Sequence, residues 1–449
     1  PRRPRGSAKC RQVAAPQTPG GPVDHAGPPL RSIVIAVCKN LSRGGVVVGP
    51  GTSGSVETGA PAAGEGLTVA VVAIGNPASS ATWSGTPSGL VKGLRACGVK
   101  VLTVDVRPPC AVVEYGLRAV TRILRPLLGG RSWRMWRDTA LYGDLATLTA
   151  LARRGGFASA DVVIQVGAQY RVRHPRVFTL EDMTVDQARR VEFGAWALHS
   201  CRTVSARNRR HRKTYQRVEG LLAATQWAAT SMREDYGVAA DKIHVVGLGG
   251  SPRMARSQTT RDKDWSTPCF LFVGHDWERK NGGLLVEAFQ RVRVERPEAQ
   301  LLLVGQHSKV EGPGIEDFGP LVLEDPHAQS LLAGLFARAT CLVVPSRIEP
   351  AGLVYAEAGH AGIPAIGSDS GGAREMIGPG GTIVAAGDVE DLTRAMLRLA
   401  DPDTARRLGV QGAGHAATLT WDKVAERVLA AISARPAGAS RNPHEPAML

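Results

Sequence analysis

Cysteine is sparse in this chain and carries no pattern. Seven cysteines, at positions 10, 38, 97, 110, 201, 269 and 341, are scattered over 449 residues without C-x-x-C spacing. Such a set offers neither a disulfide framework nor a zinc site, and it fits a reducing, cytoplasmic compartment. Long apolar runs are also missing; none approaches the roughly 20 residues that span a bilayer. The basic opening PRRPRGSAKCRQ has no apolar core after it, so no secretory signal is expected there. No internal repeat marks a solenoid or propeller. Acidic residues are in deficit, 40 against 55 Lys and Arg, for a net charge of +15. Such a charge suits phospholipid, nucleic acid or a phosphorylated substrate, or simply reflects an Arg-rich solvated surface. No motif points to specific nucleic-acid binding. A basic run, RNRRHRKTYQR (207–217), stands out within the chain.

What is present is a repeated α/β pattern. Residues 1–65, rich in Pro, Gly and Ser, are expected to form a disordered basic tail. From there TVAVVAI (68–74), VKVLTVDV (99–106) and ADVVIQVG (160–167) read as buried strands separated by helices. After about residue 240 the alternation restarts with KIHVVG (242–247), CFLFVG (269–274), QLLLVG (300–305), TCLVVPS (340–346), PAIGS (364–368) and TIVAA (382–386). Continuous β-branched runs signal strands buried on both faces, hence parallel sheets. The expected architecture is two Rossmann-like domains facing across a cleft, at 66–240 and 241–420, followed by a C-terminal helix and tail at 421–449.

The second block carries the chemistry. In EPAGLVYAEAGH (349–360) a strand end is followed by a Gly-containing loop and a helix from Leu353. The amides of Gly352, Leu353 and Val354 then form a helix N-terminus, where partial positive charge favours a diphosphate. Glu357 lies one turn on, suited to the vicinal hydroxyls of a ribose, and Glu349 lies at the other end of such a ligand. FVGHDWERKNGG (272–283) supplies cations: Gly274 makes the turn, and Arg279 and Lys280 face phosphate before the next helix. Phosphate flanked by hydroxyl acceptors on both sides outlines a nucleotide-diphosphate sugar.

These residues resemble the donor domain of the retaining family 4 glycosyltransferases, also called group 1, which have the GT-B fold. The Glu-x7-Glu motif is Glu349 and Glu357, and the loop lysine is Lys280. TWSGTPSGLVKGL (82–94) is similar to the WSGTP loop of some members. The resemblance covers roughly 66–430. It implies sugar transfer with retention, without a metal or cofactor, onto a glycan, lipid or small-molecule acceptor. By it, Glu357 holds ribose, Glu349 contacts the transferred sugar, Gly352 and Leu353 bind diphosphate, and Lys280 with Arg279 neutralises the leaving phosphate. Gly85 lets backbone approach the donor. A front-face path is implied, the leaving phosphate accepting the acceptor's proton. Three positions depart from the family: His275 replaces an arginine, for which Arg279 would compensate, Ala351 a phenylalanine, and Asn281 a glycine. They keep a second reading open, a donor-binding protein of little activity. A sugar-nucleotide epimerase on the same fold is a third.

Weaker candidates surround these. His174 in RVRHPRV and Asp182 in LEDMT are acceptor-side candidates, or a simply exposed histidine and an ordinary acid. SGGARE (370–375) opens another helix whose N-terminus and Glu375 would touch the donor, or whose glycines serve only close helix–sheet packing. The stretch 117–138, mixing Arg with Leu and two Trp, reads either as a membrane-surface or acceptor-docking helix or as a core helix with a basic edge. Peripheral contact with an anionic membrane at its inner face would follow from the former.

Overall fold

The computed structural model describes residues 66–123, 133–250, 263–322 and 324–434. The basic tail 1–65, part of the 117–138 stretch and the last residues of the C-terminal tail lie outside them. Among the described residues twelve strands make two sheets, every paired neighbour parallel. The first holds β1 (Thr68–Ala73), β2 (Lys100–Asp105), β3 (Val162–Val166), β4 (Val177–Glu181), β5 (Gly220–Ala223) and β6 (Ile243–Val245), in the order β2-β1-β3-β4-β5-β6. The second holds β7 (Cys269–Gly274), β8 (Gln300–Gly305), β9 (Ile315–Asp317), β10 (Cys341–Val344), β11 (Ala365–Ser368) and β12 (Gly381–Val384), in the order β12-β11-β10-β7-β8-β9. All residues of β3, β4 and β10 are buried, as strands covered by helices on both faces must be.

Strand order decides where a ligand can sit. The first sheet grows from β1 outward to β2, then jumps to β3; the second grows from β7 to β9, then jumps to β10. At each jump the connections leave in opposite directions and open a crevice at the carboxyl ends of the strands. The loops after β7 and β10 therefore converge. They are the two stretches that hold Arg279–Lys280 and Glu349.

Two boundaries need correction. Residues 242–247 were expected to open the second block, but Ile243–Val245 pair with Leu221–Ala223 and complete the first sheet. The apolar run alone cannot say which sheet it joins. The C-terminal helix Trp421–Ser433 also belongs with the first domain. Its Val424, Ala425, Val428 and Leu429 share a core with β1 and β3. Trp421 lies so close to the helix Thr86–Ala96 that a Cβ at Gly89 would come within 2.0 Å of its ring. Gly89 and Gly93 permit that approach. Arg176 and Arg427 tie the returning chain down, donating to the carbonyls of Ile432 and Val246.

Candidate active site

Lys280, Arg279 and Glu349 meet directly. Lys280 Nζ lies 2.9 Å from Glu349 Oε2 and an Arg279 terminal nitrogen 3.3 Å from the same oxygen. The Ser346 hydroxyl donates to it as well, at 3.2 Å. Glu349 is only 5% exposed. Burial alone would push its carboxyl up. The Lys280 and Arg279 charges, with hydrogen bonds from Lys280 and Ser346, more than offset this and hold it below the usual carboxylate range. Glu349 is the acid paired with Lys280, whereas Arg279 is shared between Glu349 and the half-exposed Asp276, whose oxygen lies 3.6 Å from its Nε.

The loops that carry these groups are fixed by backbone. Arg347 N donates to Arg279 O, and Arg279 donates back to Ile348 O. Beneath the first loop Trp277 packs edge-on against Phe272 and so near Gly282 that a Cβ there would come within 2.3 Å of the ring. Gly274 likewise makes room for the Lys280 stem, whose Cδ would be 2.5 Å from a Cβ at that position. Asn281 adopts φ 60°, the left-handed region in which asparagine is the best substitute for glycine. The departure at this position thus keeps the backbone shape.

Glu349 is held from the other side by the loop after β11. Its N–H donates to Ser370 O, and its carbonyl accepts from Gly372 N. Gly371, at φ +110°, lies so close that a Cβ would sit 2.0 Å from Glu349 O. Gly371→Ala meets backbone that cannot yield, in a conformation that disfavours side chains. We expect a loss of roughly 2–6 kcal/mol in stability, read as the urea midpoint, and a matching loss of site function.

The helix Leu353–His360 begins at Gly352, φ +83°, N-cap of the helix. The amides of Gly352, Leu353 and Val354 have no acceptor among the described residues. Tyr355 anchors the helix by donating to Val344 O at the end of β10. Ala356 and Ala358 are fully buried, and Gly359 presses on the helix Pro402–Ala416, where a Cβ would meet Gly412 O at 2.8 Å. The small residues thus serve helix–helix contact as well as the sheet. Glu357 sits one turn in. Burial pushes its carboxyl up to about 7, and the Lys280 charge only partly opposes this.

The remaining candidates separate. Asp182 lies at the end of β4, on the wall of a first-domain cavity of about 770 Å³. Burial, then the Glu349 charge, raises it to about 6, while Arg279 pulls the other way. Phe193 of the first domain covers the Arg279 guanidinium at 5.4 Å. Gly85, at φ 84°, caps the helix Thr86–Ala96 at the end of the β1 loop. His275 is exposed beside Gly274, and Ala351 is buried in the second-domain core.

Three expectations fail. His174 does not face an acceptor: its ring nitrogens lie 2.9 Å from the carbonyls of Arg176 and Ala160, before β4 and β3. The chain from β3 to β4 returns to the amino end of the sheet, opposite the crevice. The Glu375 carboxylate is not free for a donor either; its two oxygens accept from Gln226 N and Trp227 N, capping a first-domain helix. Residues 117–123 of the 117–138 stretch form no core helix, since the helix Ala111–Ile123 buries nothing and leaves Val112, Tyr115 and Ile123 largely exposed, while Trp133–Asp138 is a separate turn, half-buried at Met135 to Asp138.

Sequence reasoning missed Ser346, and it took Arg207 and His211 for part of a basic run. These two occupy the buried face of the helix Cys201–Arg217 with Thr214 and Tyr215. The i, i+4, i+7, i+8 spacing was the available signal.

Comparison with known proteins bears on the fold and on the second domain's family. Residues 267–401 match the family described as Glycosyl transferases group 1. A D-inositol 3-phosphate glycosyltransferase of Gordonia bronchialis is 30% identical over 252 residues, covering 50% of this chain and 54% of the relative. An MMP alpha-(1->4)-mannosyltransferase of Mycolicibacterium hassiacum is 30% identical over 232 residues, covering 49% and 55%. The chain thus spans about half the length of the curated relatives it matches. Among solved structures, sucrose-phosphate synthase from Thermosynechococcus elongatus superposes with a TM-score of 0.57 at 19% identity, over 81% of this chain and 97% of that one. WaaG, a glycosyltransferase involved in lipopolysaccharide biosynthesis, gives 0.54 at 17% identity, over 81% and 99%. The fold is GT-B, two Rossmann-like domains.

Proposed function

We propose that this chain, a group 1 glycosyltransferase by its second domain, moves a sugar from a nucleotide-diphosphate sugar to an acceptor hydroxyl with retention. The observation that carries the reading is the buried Lys280–Glu349–Arg279 cluster beside the open amides of Gly352, Leu353 and Val354, with Glu357 one turn further. Cations and amides together suit a diphosphate, and the flanking carboxylates suit hydroxyls. In transfer, the acceptor oxygen bonds to the anomeric carbon as the bond from that carbon to the diphosphate oxygen breaks. The acceptor's proton passes to the departing phosphate. Lys280 and Arg279 stabilise the charge that develops there, so the protein itself supplies what a metal would otherwise provide. We expect chelation by EDTA to leave the rate unchanged.

The test is release of free nucleotide from a panel of UDP-, GDP- and ADP-sugars. One donor should be hydrolysed slowly without acceptor, and the sugar first released should keep its α configuration by NMR. Binding of a donor with no turnover at all would support the donor-binding reading instead. An epimerised sugar would support the epimerase.

Glu357 adds a pH dependence. With its carboxyl at about 7, it carries a proton over much of the acidic range. Ribose hydroxyls donate best to the ionised form, so nucleotide binding must expel that proton. Affinity for UDP should therefore rise with pH up to about 7 and level off above. The nucleotide's own phosphate titrates near 6 or so, which makes the difference between wild type and Glu357→Gln the reading. Parallel pH curves for the two proteins would remove Glu357 from the ribose site.

A further inference from the structure

A second set of cations lies away from the crevice. Three adjoining cavities of about 270 to 290 Å³ open on the first domain, and Arg171 lines all three. The one under the chain from β3 to β4 is lined by Arg171, Arg173 and Arg217. The next adds Arg209, Arg210 and Lys213 of the helix Cys201–Arg217. Arg173 precedes β4, and Arg217 ends the helix that leads into β5. The group therefore sits toward the amino ends of these strands, opposite the crevice.

The described residues do not neutralise these charges. Among them, the side chains of Arg171, Arg173, Arg209, Lys213 and Arg217 have no hydrogen-bond or ion-pair partner. Asp144, the one acid on these walls, is paired with Arg210, and Glu219, two positions after Arg217, with Arg176. Burial, then the charges of Arg217 and Arg210, hold the Arg171 guanidinium below its usual range; Arg173 adds to this and Asp144 offsets only part. Cations on an ordinary solvated surface spread apart or pair with acids, because like charges a few ångströms apart repel.

The backbone beneath is fixed. Gln165, 1% exposed, donates from its side chain to Gly167 O and Tyr170 O and accepts from Val172 N. Thr147 Oγ1 accepts from Arg171 N, and the His174 ring is held between the carbonyls of Arg176 and Ala160. Arg171 and Arg173 thus start from a loop pinned on both sides, and an anion bound there does not first have to order the chain.

We propose that this group is an anion site, separate from the crevice, which takes the phosphate of a phosphorylated ligand between Arg171, Arg173 and Arg217. Guanidinium forks match phosphate oxygens in pairs, and three of them around one small cavity exceed what a single carboxylate can answer. Leu148 and Leu151, 52% and 46% exposed, line the neighbouring cavity beside Arg171 and Arg173. They offer an apolar shelf to whatever the phosphate is attached to. A soluble ester and a phospholipid headgroup present the same phosphate. No bond changes here, since the cations placed against the donor lie at the other ends of the strands. The ligand acts as an effector or an anchor, and the site does not rest on the transfer reading.

The experiment is calorimetric titration of the full chain at about 0.15 M salt, where diffuse attraction between charges is largely screened, with UDP saturating the crevice. Inorganic phosphate and phenyl phosphate are the soluble probes, and phosphatidylcholine vesicles with and without phosphatidic acid are the lipid arm. At least one phosphate probe should bind. The double variant Arg171→Gln, Arg217→Gln should weaken that binding roughly tenfold to a hundredfold, the loss of charge-assisted hydrogen bonds, with UDP affinity unchanged. A control, Arg406→Gln with Arg407→Gln, removes the same charge from an exposed part of the second domain and should bind as wild type does. Arg171-dependent binding of phenyl phosphate assigns the site to a soluble ester; the same dependence for phosphatidic-acid vesicles alone assigns it to a headgroup. No binding of any probe, a double variant that binds like wild type, or a control variant that loses as much overturns the proposal. If the double variant does not fold, the exposed Arg173→Gln takes its place, and unchanged affinity there is equally fatal. If UDP does not bind, the donor reading alone fails, and the same comparison is made without it.

Discussion

Lys280→Ala is expected to slow nucleotide release from the donor sugar by about 100- to 1000-fold, the usual loss when one preorganised charge is taken from a developing anion. The effect should fall on turnover more than on nucleotide affinity, since charge builds on the phosphate only as the sugar bond breaks. Arg279 remains, but it is turned toward Ile348 O and Glu349 and is covered by Phe193, so it replaces Lys280 only in part. Lys280→Arg should recover little. The Lys280 stem runs close past Gly274, and a planar guanidinium does not reproduce the point charge of a compact ammonium at its end. The check is single-turnover kinetics on the donor that the panel identifies. A rate within a few-fold of wild type would mean that Lys280 does not face the leaving phosphate.

Glu349→Ala should act first on stability. Removing the carboxylate takes the acidic partner from Lys280 and leaves Arg279 only Asp276 at 3.6 Å, with the Lys280 and Arg279 side chains 11% and 19% exposed. Breaking a buried pair in this way costs about 3–5 kcal/mol. The sign of the ligand effect then separates this account from a purely structural one. A nucleoside diphosphate brings the missing negative charge, so UDP should raise the melting temperature of the variant more than that of the wild type. Equal shifts in both proteins would mean that the cations do not meet the diphosphate. Activity should stay low even when stability is restored, because Glu349 also faces the transferred sugar in the proposed site.

Much of this organisation was legible before any coordinates. Long apolar strands such as CFLFVG and QLLLVG announce themselves, and the Gly-rich joint at Gly352 marks the start of its helix. β4, β5 and β9 were not picked out, because Ile315–Asp317 is two-thirds acidic and Val177–Glu181 and Gly220–Ala223 follow basic stretches, so their place is set by their neighbours in the sheet. Lys280 and Glu349 were both named. Their direct pairing was not, since they lie 69 positions apart and only the strand order β10-β7 brings their loops together. The reading that set Glu349 on the sugar and the cations on the phosphate is thereby sharpened: without ligand the same carboxylate also holds the cations in place. Arg207 and His211 were hidden for a different reason. A basic run looks the same whether its helix turns every charge outward or two of them inward. The sheet and the helix 185–190 packed beside them decide which, and no local rule does.

The most direct measurement is a crystal structure with the nucleoside diphosphate that the donor panel selects. The expected result has the β-phosphate within hydrogen-bonding distance of Lys280 Nζ and of the Gly352–Val354 amides, with both ribose hydroxyls on Glu357. A nucleotide bound elsewhere, or bound here with Lys280 still turned only to Glu349 and Glu357 away from the ribose, would contradict it.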